Sequence, residues 1–355
     1  MSGSLIFTNA VGEAIDALVA DMNPTEIFVV ADANTAALCL PQLRSASEAI
    51  RGSSVLVSEP GEEFKTIDAA NTLWRSLVVG GATRRSLVVN VGGGVVTDMG
   101  GFVAATFKRG IPYINVPTTL LAAVDASVGG KTAVNFEGLK NEIGVFAMPL
   151  ATVLSTRFFA TLPREQMLSG YAEMLKHALL SGPEVLGRAM AIDDVAEVAE
   201  LDAFLPVLRE SVALKQRIVA ADPTEKGLRK VLNLGHTVGH AIEALSIEKG
   251  RAVPHGYAVA WGCVVALVIS HMQLGFPSYV LQRFAMYVRD NYGALPASCD
   301  DYPELLRIMS HDKKNSSPDC IVFTLLSAPG VPAYGHIVTP AVITAALDIA
   351  RDLLG

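Results

Sequence analysis

The chain has 355 residues, of which 51% are hydrophobic and 18% are charged, and its formal net charge is −7. A chain longer than ~250 to 300 residues usually divides into more than one core, so the length predicts two domains, and the hydrophobic fraction excludes a disordered protein. The acidic balance and the lack of a dense basic stripe argue against a nucleic-acid partner, although a local group of Lys and Arg could still bind an anion.

Cysteine usage and the apolar segments indicate a cytoplasmic protein without a membrane partner. The N-terminus lacks the pattern of a signal peptide. The longest apolar stretch, residues 258–270, is shorter than the ~20 residues that a membrane span requires, so we predict a buried helix there. The cysteines are scattered without a CxxC pair, as expected for reduced thiols, at Cys39, Cys263, Cys299 and Cys320.

Up to about residue 160, short β-branched segments alternate with helical patterns. The predicted strands span residues 26–32, 53–59, 85–94, 113–119 and 151–155. This alternation is typical of a mostly parallel sheet with helices on its faces, so we predict an α/β domain over residues 1–160.

Beyond Leu162 and Pro163, the apolar residues recur with a helical period. The predicted helices span residues 164–180, 202–222, 236–245 and 302–309. An α/β half is therefore followed by a helical half, which we assign to residues 161–355.

A glycine-rich loop at residues 92–94 joins an apolar strand to a helical pattern. Bare backbone N–H groups at a helix start favour a phosphate, so the loop is typical of a nucleotide site. Thr97 stands where the strict GxGxxG pattern needs its last glycine, and a tight turn without a ligand is the alternative. Asp32 closes an earlier strand, where a ribose-binding acid would lie, and Glu62 and Lys65 follow another strand.

His236 and His240 lie one helical turn apart in an apolar stretch. At this spacing the Cβ atoms are ~5 to 6 Å apart, so one metal ion could meet both rings, or one ring with the other beside it. Two buried core imidazoles are the alternative. His255 and Glu173 could complete a set of nitrogen and oxygen ligands with an open position, which is the arrangement of catalytic zinc.

A third group of residues is basic or polar and stands in Gly-containing or apolar surroundings. Such side chains could converge on phosphate or carboxylate, or they could be solvated surface charges. The group comprises Arg109, Lys131, Lys140, Asn141, Lys176, Lys215, Arg229, Asn233 and the HDKKN segment at residues 311–315. We expect Lys131 and Lys140 to lie in loops, because glycines flank both.

Seven motifs occur in order along nearly the whole chain, from about residue 30 to residue 345. They are GGGVVTDMGGFVAATFKRG, PTTLLAAVDASVGGKTAVN, LKNEIGVFAMP, TLPREQMLSGYAEMLKHAL, LRKVLNLGHTVGHAIE, PHGYAVAWG and HDKKN. Together they resemble the 3-dehydroquinate synthases of the sugar phosphate cyclase family. The resemblance implies a Rossmann-like domain that binds NAD, followed by an all-helical domain that binds substrate and a divalent metal, zinc or cobalt.

Matching the motifs position by position implies a role for each functional residue. The implied metal ligands are Glu173, His236 and His255, whereas His240 would face the substrate as part of a proton relay. The implied catalytic residues are Glu225, His240, Lys176 and Asn233. The implied NAD contacts are Asp32, Asn34, Glu62, Lys65, Gly93, Gly94, Asp98, Thr118, Thr119, Lys140 and Thr161. The implied substrate contacts are Arg109, Asp125, Lys131, Asn141, Lys215, Arg229 and Lys313.

The resemblance also implies a reaction and an assembly. The reaction is the cyclisation of a 3-deoxy-heptulosonate phosphate with loss of phosphate and no net redox change, catalysed by a carbon-oxygen lyase of the shikimate pathway to aromatic amino acids. The assembly is a homodimer. A related sugar phosphate cyclase, a metal-dependent polyol dehydrogenase and a non-catalytic NAD or metal sensor are the alternatives.

Three positions depart from the family pattern. Leu139 stands where a glycine commonly precedes the Lys-Asn pair, Ser155 replaces a frequent Asp, and residues 315–320 lack a basic continuation. These departures bear on loop geometry and on the reach of Lys140 and Lys313.

Overall fold

A computed structural model describes residues 3–198, 202–310 and 321–355, which form two compact units. Unit 1 comprises Met1–Pro163 and Glu197–Val212, and unit 2 comprises Arg164–Ala196 and Ala213–Gly355. No local pattern in the sequence indicated that residues 197–212 belong with the first unit. The division of function at residues 160 and 161 stays a prediction.

The described residues form the following strands and helices. The strands are β1 Ser4–Phe7, β2 Ile27–Asp32, β3 Ser54–Ser58, β4 Leu87–Gly92, β5 Tyr113–Pro117, β6 Lys131–Phe136, β7 Leu139–Phe146, β8 Ala151–Leu154, β9 Ile321–Ala328 and β10 Val331–Val338. The helices are α1 Val11–Met22, α2 Ala33–Leu38, α3 Leu40–Ala46, α4 Glu48–Arg51, α5 Ile67–Val79, α6 Gly94–Thr106, α7 Arg164–Ser181, α8 Pro183–Ala189, α9 Val195–Val198, α10 Phe204–Ala221, α11 His236–Glu248, α12 His255–Leu274, α13 Ser278–Tyr292, α14 Tyr302–Ser310 and α15 Pro340–Leu354.

Unit 1 is built on a six-stranded sheet in the order β1-β8-β5-β4-β2-β3, and all neighbouring strands in it are parallel. Strand β4 is buried along its whole length, as expected for a parallel strand with both faces covered. The five predicted strands are confirmed. Strand β1 was missed because its four residues are too few to show a period.

Helices cover both faces of this sheet, which therefore has two cores. Successive residues of a strand point to opposite faces. Accordingly, Val29 belongs to a cluster with Ile15 and Leu43, whereas Val30 belongs to a separate cluster with Leu77 and other buried residues. Because all six strands are parallel, their carboxyl ends lie at one edge of the sheet, where ligands bind in open parallel sheets.

The segments around Lys131 and Lys140 form an antiparallel hairpin, β6–β7, so the loop prediction for both residues was wrong. Glu137 and Gly138 both have positive φ values, of 48° and 80°, at the two-residue turn. Paired positive φ values are the mark of the tight turn that best fits the twist of a hairpin. Of the glycines that suggested loops, Gly129 and Gly130 directly precede β6, and Gly138 lies in the turn of the hairpin.

Unit 2 is helical in its described residues except for the antiparallel ribbon β9–β10. The fold class is thus confirmed, with the ribbon as an addition to the predicted all-helical domain. The four predicted helices are confirmed, and the predicted buried helix is α12, which is longer than its apolar stretch. Helix α12 has the length and composition of a membrane span, but 72% of its most apolar window is buried in the protein, as in core helices.

Helices α7, α11 and α12 pack closely because glycines face backbone at the contacts. A Cβ added at Gly256 would lie 1.9 Å from the Ser169 carbonyl oxygen, and one added at Gly262 would lie 2.1 Å from the Gly235 carbonyl oxygen. The backbone N–H of Gly256 also donates a hydrogen bond to Ser169 Oγ at 3.0 Å. Contact between backbones therefore sets the spacing of the three helices.

The substitution Gly100→Ala should destabilise the protein, because a Cβ at this position of α6 would lie 2.0 Å from Asn90 Oδ1. Asn90 is buried, and its Nδ2 donates to Asn115 Oδ1 at 2.9 Å, so its amide cannot yield freely. We expect the free energy of unfolding to fall by about 1–3 kcal/mol, as for overpacked cores. A lower midpoint of chemical unfolding would measure this change. Gly187→Ala on α8 is the matched control, since a Cβ there meets nothing within 4 Å. Equal stability of the Gly100→Ala variant and the unsubstituted protein would contradict the packing described.

Candidate active site

Three side chains from separate helices of unit 2 converge at one point. Glu173 lies in the middle of α7 and is fully buried, while His236 and His255 are the first residues of α11 and α12. The Nε2 atoms of His236 and His255 lie 3.4 Å and 3.7 Å from Glu173 Oε1. One ligand atom from each of the three residues lies within 4.8 Å of the others.

Each imidazole is oriented by a contact on its other nitrogen. Nδ1 of His236 lies 3.2 Å from the Leu234 carbonyl oxygen, and Nδ1 of His255 lies 3.1 Å from Glu243 Oε2. Both contacts leave Nε2 directed towards Glu173, as is usual for histidines that ligate a metal. The sequence assigned no role to Glu243.

The donor set fits a divalent cation. Glu173 Oε2 forms an ion pair with Lys176, but Oε1 is buried and has no hydrogen-bond partner among the described residues. A buried carboxylate oxygen without a donor is costly unless a cation meets it. One carboxylate and two imidazoles are suited to zinc and to related first-row metals.

The charges in this group favour ligation by His236 directly and by His255 after loss of a proton. Burial raises the pKa of Glu173, but the charge of the Lys176 ammonium outweighs it and holds that pKa well below its usual range. Burial and the Lys176 ammonium hold the pKa of His236 well below its usual range, so this ring is neutral. Burial lowers the pKa of His255, but the neighbouring carboxylates of Glu173 and Glu243 raise it to about 10. Metal ligands bind deprotonated, so a protonated His255 would have to release its proton to ligate a cation.

His240 lies beside the three residues but outside the group that could hold one ion. Its ring centroid is 5.2 Å from that of His236 and 5.9 Å from that of His255. The side chain is exposed. The sequence left open whether one ion would meet both His236 and His240 or only one of them. The geometry fits an ion that meets His236, with His240 beside it.

The other predicted residues of unit 2 include three buried cations and one hydrogen-bonded pair. Lys176, Lys215 and Arg229 are 1%, 6% and 3% exposed. Asn233 Nδ2 donates to Glu225 Oε1 at 3.1 Å, which links two of the predicted catalytic residues. Lys313 lies outside the described residues, as does the departure at 315–320.

Asp222 organises the turn that carries Glu225 and Arg229, although no sequence signal singled it out. Its carboxylate accepts hydrogen bonds from the backbone N–H groups of Lys226, Gly227 and Arg229 at 3.0, 2.7 and 3.0 Å. These bonds, the strongest from Gly227, hold the pKa of Asp222 below its usual range. An aspartate that closes its own turn was detectable in principle from its place at the end of a predicted helix.

In unit 1, the glycine-rich loop has the predicted form. Strand β4 ends at Gly92, Gly93 precedes the helix in extended conformation, and α6 begins at Gly94. Thr118 follows the neighbouring strand β5, and its N–H donates to the Gly92 carbonyl at 3.0 Å. Thr118 Oγ1 is buried and has no hydrogen-bond partner within the part of the chain that the structure describes. This edge of the sheet offers backbone and hydroxyl groups to a ligand.

Asp32 already has a structural function at the end of β2. Its Oδ1 accepts from the Thr35 N–H at 2.8 Å and so caps α2, in which Asn34 lies. Thr161 lines a cavity of about 380 Å³ together with Cys39, Phe158 and other residues of unit 1. Thr119 Oγ1 accepts from the Ala122 N–H at 3.1 Å.

Lys65, itself a predicted cofactor contact, connects the predicted cofactor contact Asp98 with the predicted substrate contact Asn141. This ammonium is only 3% exposed and lies 2.7 Å from Asp98 Oδ2 and 2.5 Å from Asn141 Oδ1. Burial raises the pKa of Asp98 to about 6 against the opposing charge of Lys65. Asn135, which the sequence did not single out, bonds to both Glu62 and Asn141.

The remaining predicted substrate residues of unit 1, and the predicted NAD contact Lys140, lie in turns and at the hairpin. Arg109 ends a 3-10 turn with a positive φ of 69°, and its side chain is exposed. Asp125 lies in the π-helical turn Ala122–Ala126, and Lys131 and Lys140 belong to the β6–β7 hairpin.

Comparison with known proteins covers nearly the whole chain. The 3-dehydroquinate synthase N-terminal family matches residues 55–169, and the 3-dehydroquinate synthase C-terminal family matches residues 170–315. The 3-dehydroquinate synthase of Parabacteroides distasonis is 45% identical over 93% of this chain and 92% of that protein. The enzyme of the same name from Pyrococcus abyssi is 42% identical over 85% of this chain and 86% of that protein.

The fold has close counterparts among solved structures. The crystal structure of 2-deoxy-scyllo-inosose synthase, complexed with carbaglucose-6-phosphate, NAD+ and Co2+, matches with a TM-score of 0.83 and 25% identity. The match covers 97% of this chain and 95% of that one. With both family matches in register and a relative at 45% identity, the chain belongs to the 3-dehydroquinate synthase family.

Proposed function

We propose that this chain is a 3-dehydroquinate synthase, a phosphate-eliminating carbon-oxygen lyase of the shikimate pathway. Its substrate would be a 3-deoxy-heptulosonate phosphate, which it would cyclise with NAD and a divalent metal. The observation that carries the proposal is the convergence of Glu173, His236 and His255 on one point in a member of this family. The identity of 45% to a 3-dehydroquinate synthase, against 25% to a 2-deoxy-scyllo-inosose synthase, favours it over a related cyclase.

Glu173, His236 and His255 would hold zinc or cobalt. When bound, such an ion supplies a Lewis acid that polarises a substrate oxygen. Lys176 balances the negative charge of Glu173, while Glu243 and the Leu234 carbonyl hold the two rings in place. The chain itself thus provides a site whose ligands are oriented in advance.

The edge of the sheet in unit 1 would hold NAD, which supplies a reversible hydride acceptor. The start of α6 at Gly93 and Gly94 suits the pyrophosphate, since backbone N–H groups and the helix dipole favour an anion there. The buried hydroxyl of Thr118 supports the same proposal. The further cofactor contacts proposed are Asp32, Asn34, Glu62, Lys65, Asp98, Thr119, Lys140 and Thr161.

The substrate would carry a carboxylate and a phosphate, which accounts for the many cations. Lys215 and Arg229 are buried, and a buried cation favours an anionic partner. Asn233 donates a hydrogen bond to the Glu225 carboxylate and so holds it in place. Glu225 and His240 would transfer protons at the reacting carbon and oxygen atoms of the substrate, and Lys176 would be the fourth catalytic residue. The other substrate contacts proposed are Arg109, Asp125, Lys131, Asn141 and Lys313. We extend the proposal to a cytoplasmic homodimer.

The reaction itself is the first test. The purified protein, loaded with zinc or cobalt, should release one phosphate for each heptulosonate phosphate consumed, with NAD present in catalytic amount only. No NADH should accumulate, because the hydride returns to the substrate. Continuous phosphate detection, with NADH absorbance in parallel, measures both. Accumulating NADH would indicate a dehydrogenase, and absence of phosphate release would indicate a sensor; either result overturns the proposal.

The substitution His236→Ala should abolish stoichiometric metal binding, because it removes one of three ligands. Metal content after dialysis, measured by inductively coupled plasma mass spectrometry, checks this. His336→Ala on β10 is the matched control, since that histidine lies on the ribbon and is not a member of the ligand group. Full metal occupancy in the His236→Ala variant would refute the ligand assignment.

The substitution Glu243→Ala should weaken metal affinity by about 10- to 100-fold, because His255 loses the acceptor that orients its ring. Competition with a chromophoric chelator measures the affinity. Glu243→Gln should fall between, since it keeps an acceptor oxygen without the charge. Glu248→Gln, exposed on the same helix, is the control. An unchanged affinity in the Glu243→Ala variant would show that the contact does not orient a ligand.

A further inference from the structure

Asn135 in strand β6 has no role in the function proposed above, yet it lies among residues that do. We propose that Asn135 is a positioning residue that holds Glu62, Lys65 and Asn141 in one arrangement. The inference rests on the proposed function, because those three residues are its proposed cofactor and substrate contacts. Through its side-chain amide, Asn135 would couple the position of the proposed NAD contacts in unit 1 to that of the proposed substrate contact Asn141.

The hairpin ladder is interrupted at Asn135. Val134 pairs with Ile143 and Phe136 pairs with Leu139, so Asn135 stands opposite residues 140–142 of β7. Such irregularities turn side chains and backbone groups away from the ladder, and they recur beside functional sites. The backbone N–H of Asn135 donates instead to the Lys65 carbonyl at 2.7 Å, outside the hairpin.

The same interruption places Asn141 in a left-handed conformation with a φ of 55°. Only a few residue types adopt this conformation readily, and asparagine is one of them. The N–H of Asn141 donates to Asn135 Oδ1 at 2.8 Å, which replaces the ladder bond lost at this point. Asn135 therefore stabilises the conformation from which the Asn141 side chain projects.

Three residues form a closed circuit of hydrogen bonds. Asn135 N donates to the Lys65 carbonyl, Lys65 Nζ donates to Asn141 Oδ1, and Asn141 N donates to Asn135 Oδ1. The Lys65 ammonium also lies 2.7 Å from Asp98 Oδ2. A displacement of Asn141 thus reaches a buried ammonium that belongs to the proposed cofactor contacts.

The second half of the Asn135 amide holds Glu62. Nδ2 donates to the Glu62 carbonyl at 3.1 Å and to Glu62 Oε1 at 2.9 Å. A donor and an acceptor on one short side chain are both required here. Aspartate has the right length, but it lacks the donor and would set a second carboxylate against that of Glu62.

Substitution of Asn135 should therefore weaken NAD binding and raise the KM for the substrate together. We expect each effect to be about tenfold in Asn135→Ala, as for the loss of one or two hydrogen bonds, with a smaller change in kcat. Asn135→Asp should bind NAD more weakly than Asn135→Ala, because its carboxylate repels Glu62. Adding Glu62→Gln to Asn135→Asp should recover part of that loss, since the glutamine amide can donate to the new carboxylate.

The experiment measures NAD dissociation by calorimetry on the metal-loaded protein, well below the melting temperature, and the KM for heptulosonate phosphate at saturating NAD. Asn291→Ala on α13 is the control for loss of an asparagine, and Glu62→Gln alone gives the baseline for the double variant.

An NAD affinity and a KM in Asn135→Ala equal to those of the unsubstituted protein would overturn the inference. If Asn135→Ala does not fold, the comparison of Asn135→Asp with the double variant decides, and no recovery counts against it. An unsubstituted protein that binds no NAD would instead refute the proposed function, and this inference with it.

Discussion

The buried carboxylate of Glu173 is the constraint on which the rest of unit 2 depends. Removing a carboxylate from water costs several kcal/mol unless positive charge meets it, and the two oxygens of Glu173 have different neighbours. Lys176 pairs with Oε2, and the imidazole edges of His236 and His255 face Oε1. The close packing of α7, α11 and α12 at their glycines brings the three side chains within a few ångströms of one another.

Unit 1 has a corresponding centre of opposite sign in the Lys65 ammonium. It is buried between Asp98 and Asn141, and the circuit through Asn135 fixes its backbone as well as its side chain. In each unit, a buried charge that would be costly alone is surrounded by groups that hold it in place. Rigid placement of this kind is what a reaction that depends on one substrate conformer requires.

Much of this architecture was predictable because its signals are local. The apolar run of β4 and the glycines after it predicted a strand, a turn and a helix, and the His spacing predicted one face of α11. The hairpin β6–β7 was missed because the glycines that mark its turn resemble those of a loop. The contacts of Asn135 with Glu62 and of Glu243 with His255 were also missed, since they join residues that only the folded chain brings together.

The contact between Gly256 and Ser169 has a consequence for which ions the site can accommodate. The residue after His255 has no room for a side chain, so contact between backbones fixes the gap between α12 and α7, which carry two of the proposed ligands. Any widening of this gap for a larger ion would have to separate α12 from α7. Selectivity by ion size would accordingly depend on main-chain geometry as well as on the side chains of the proposed ligands.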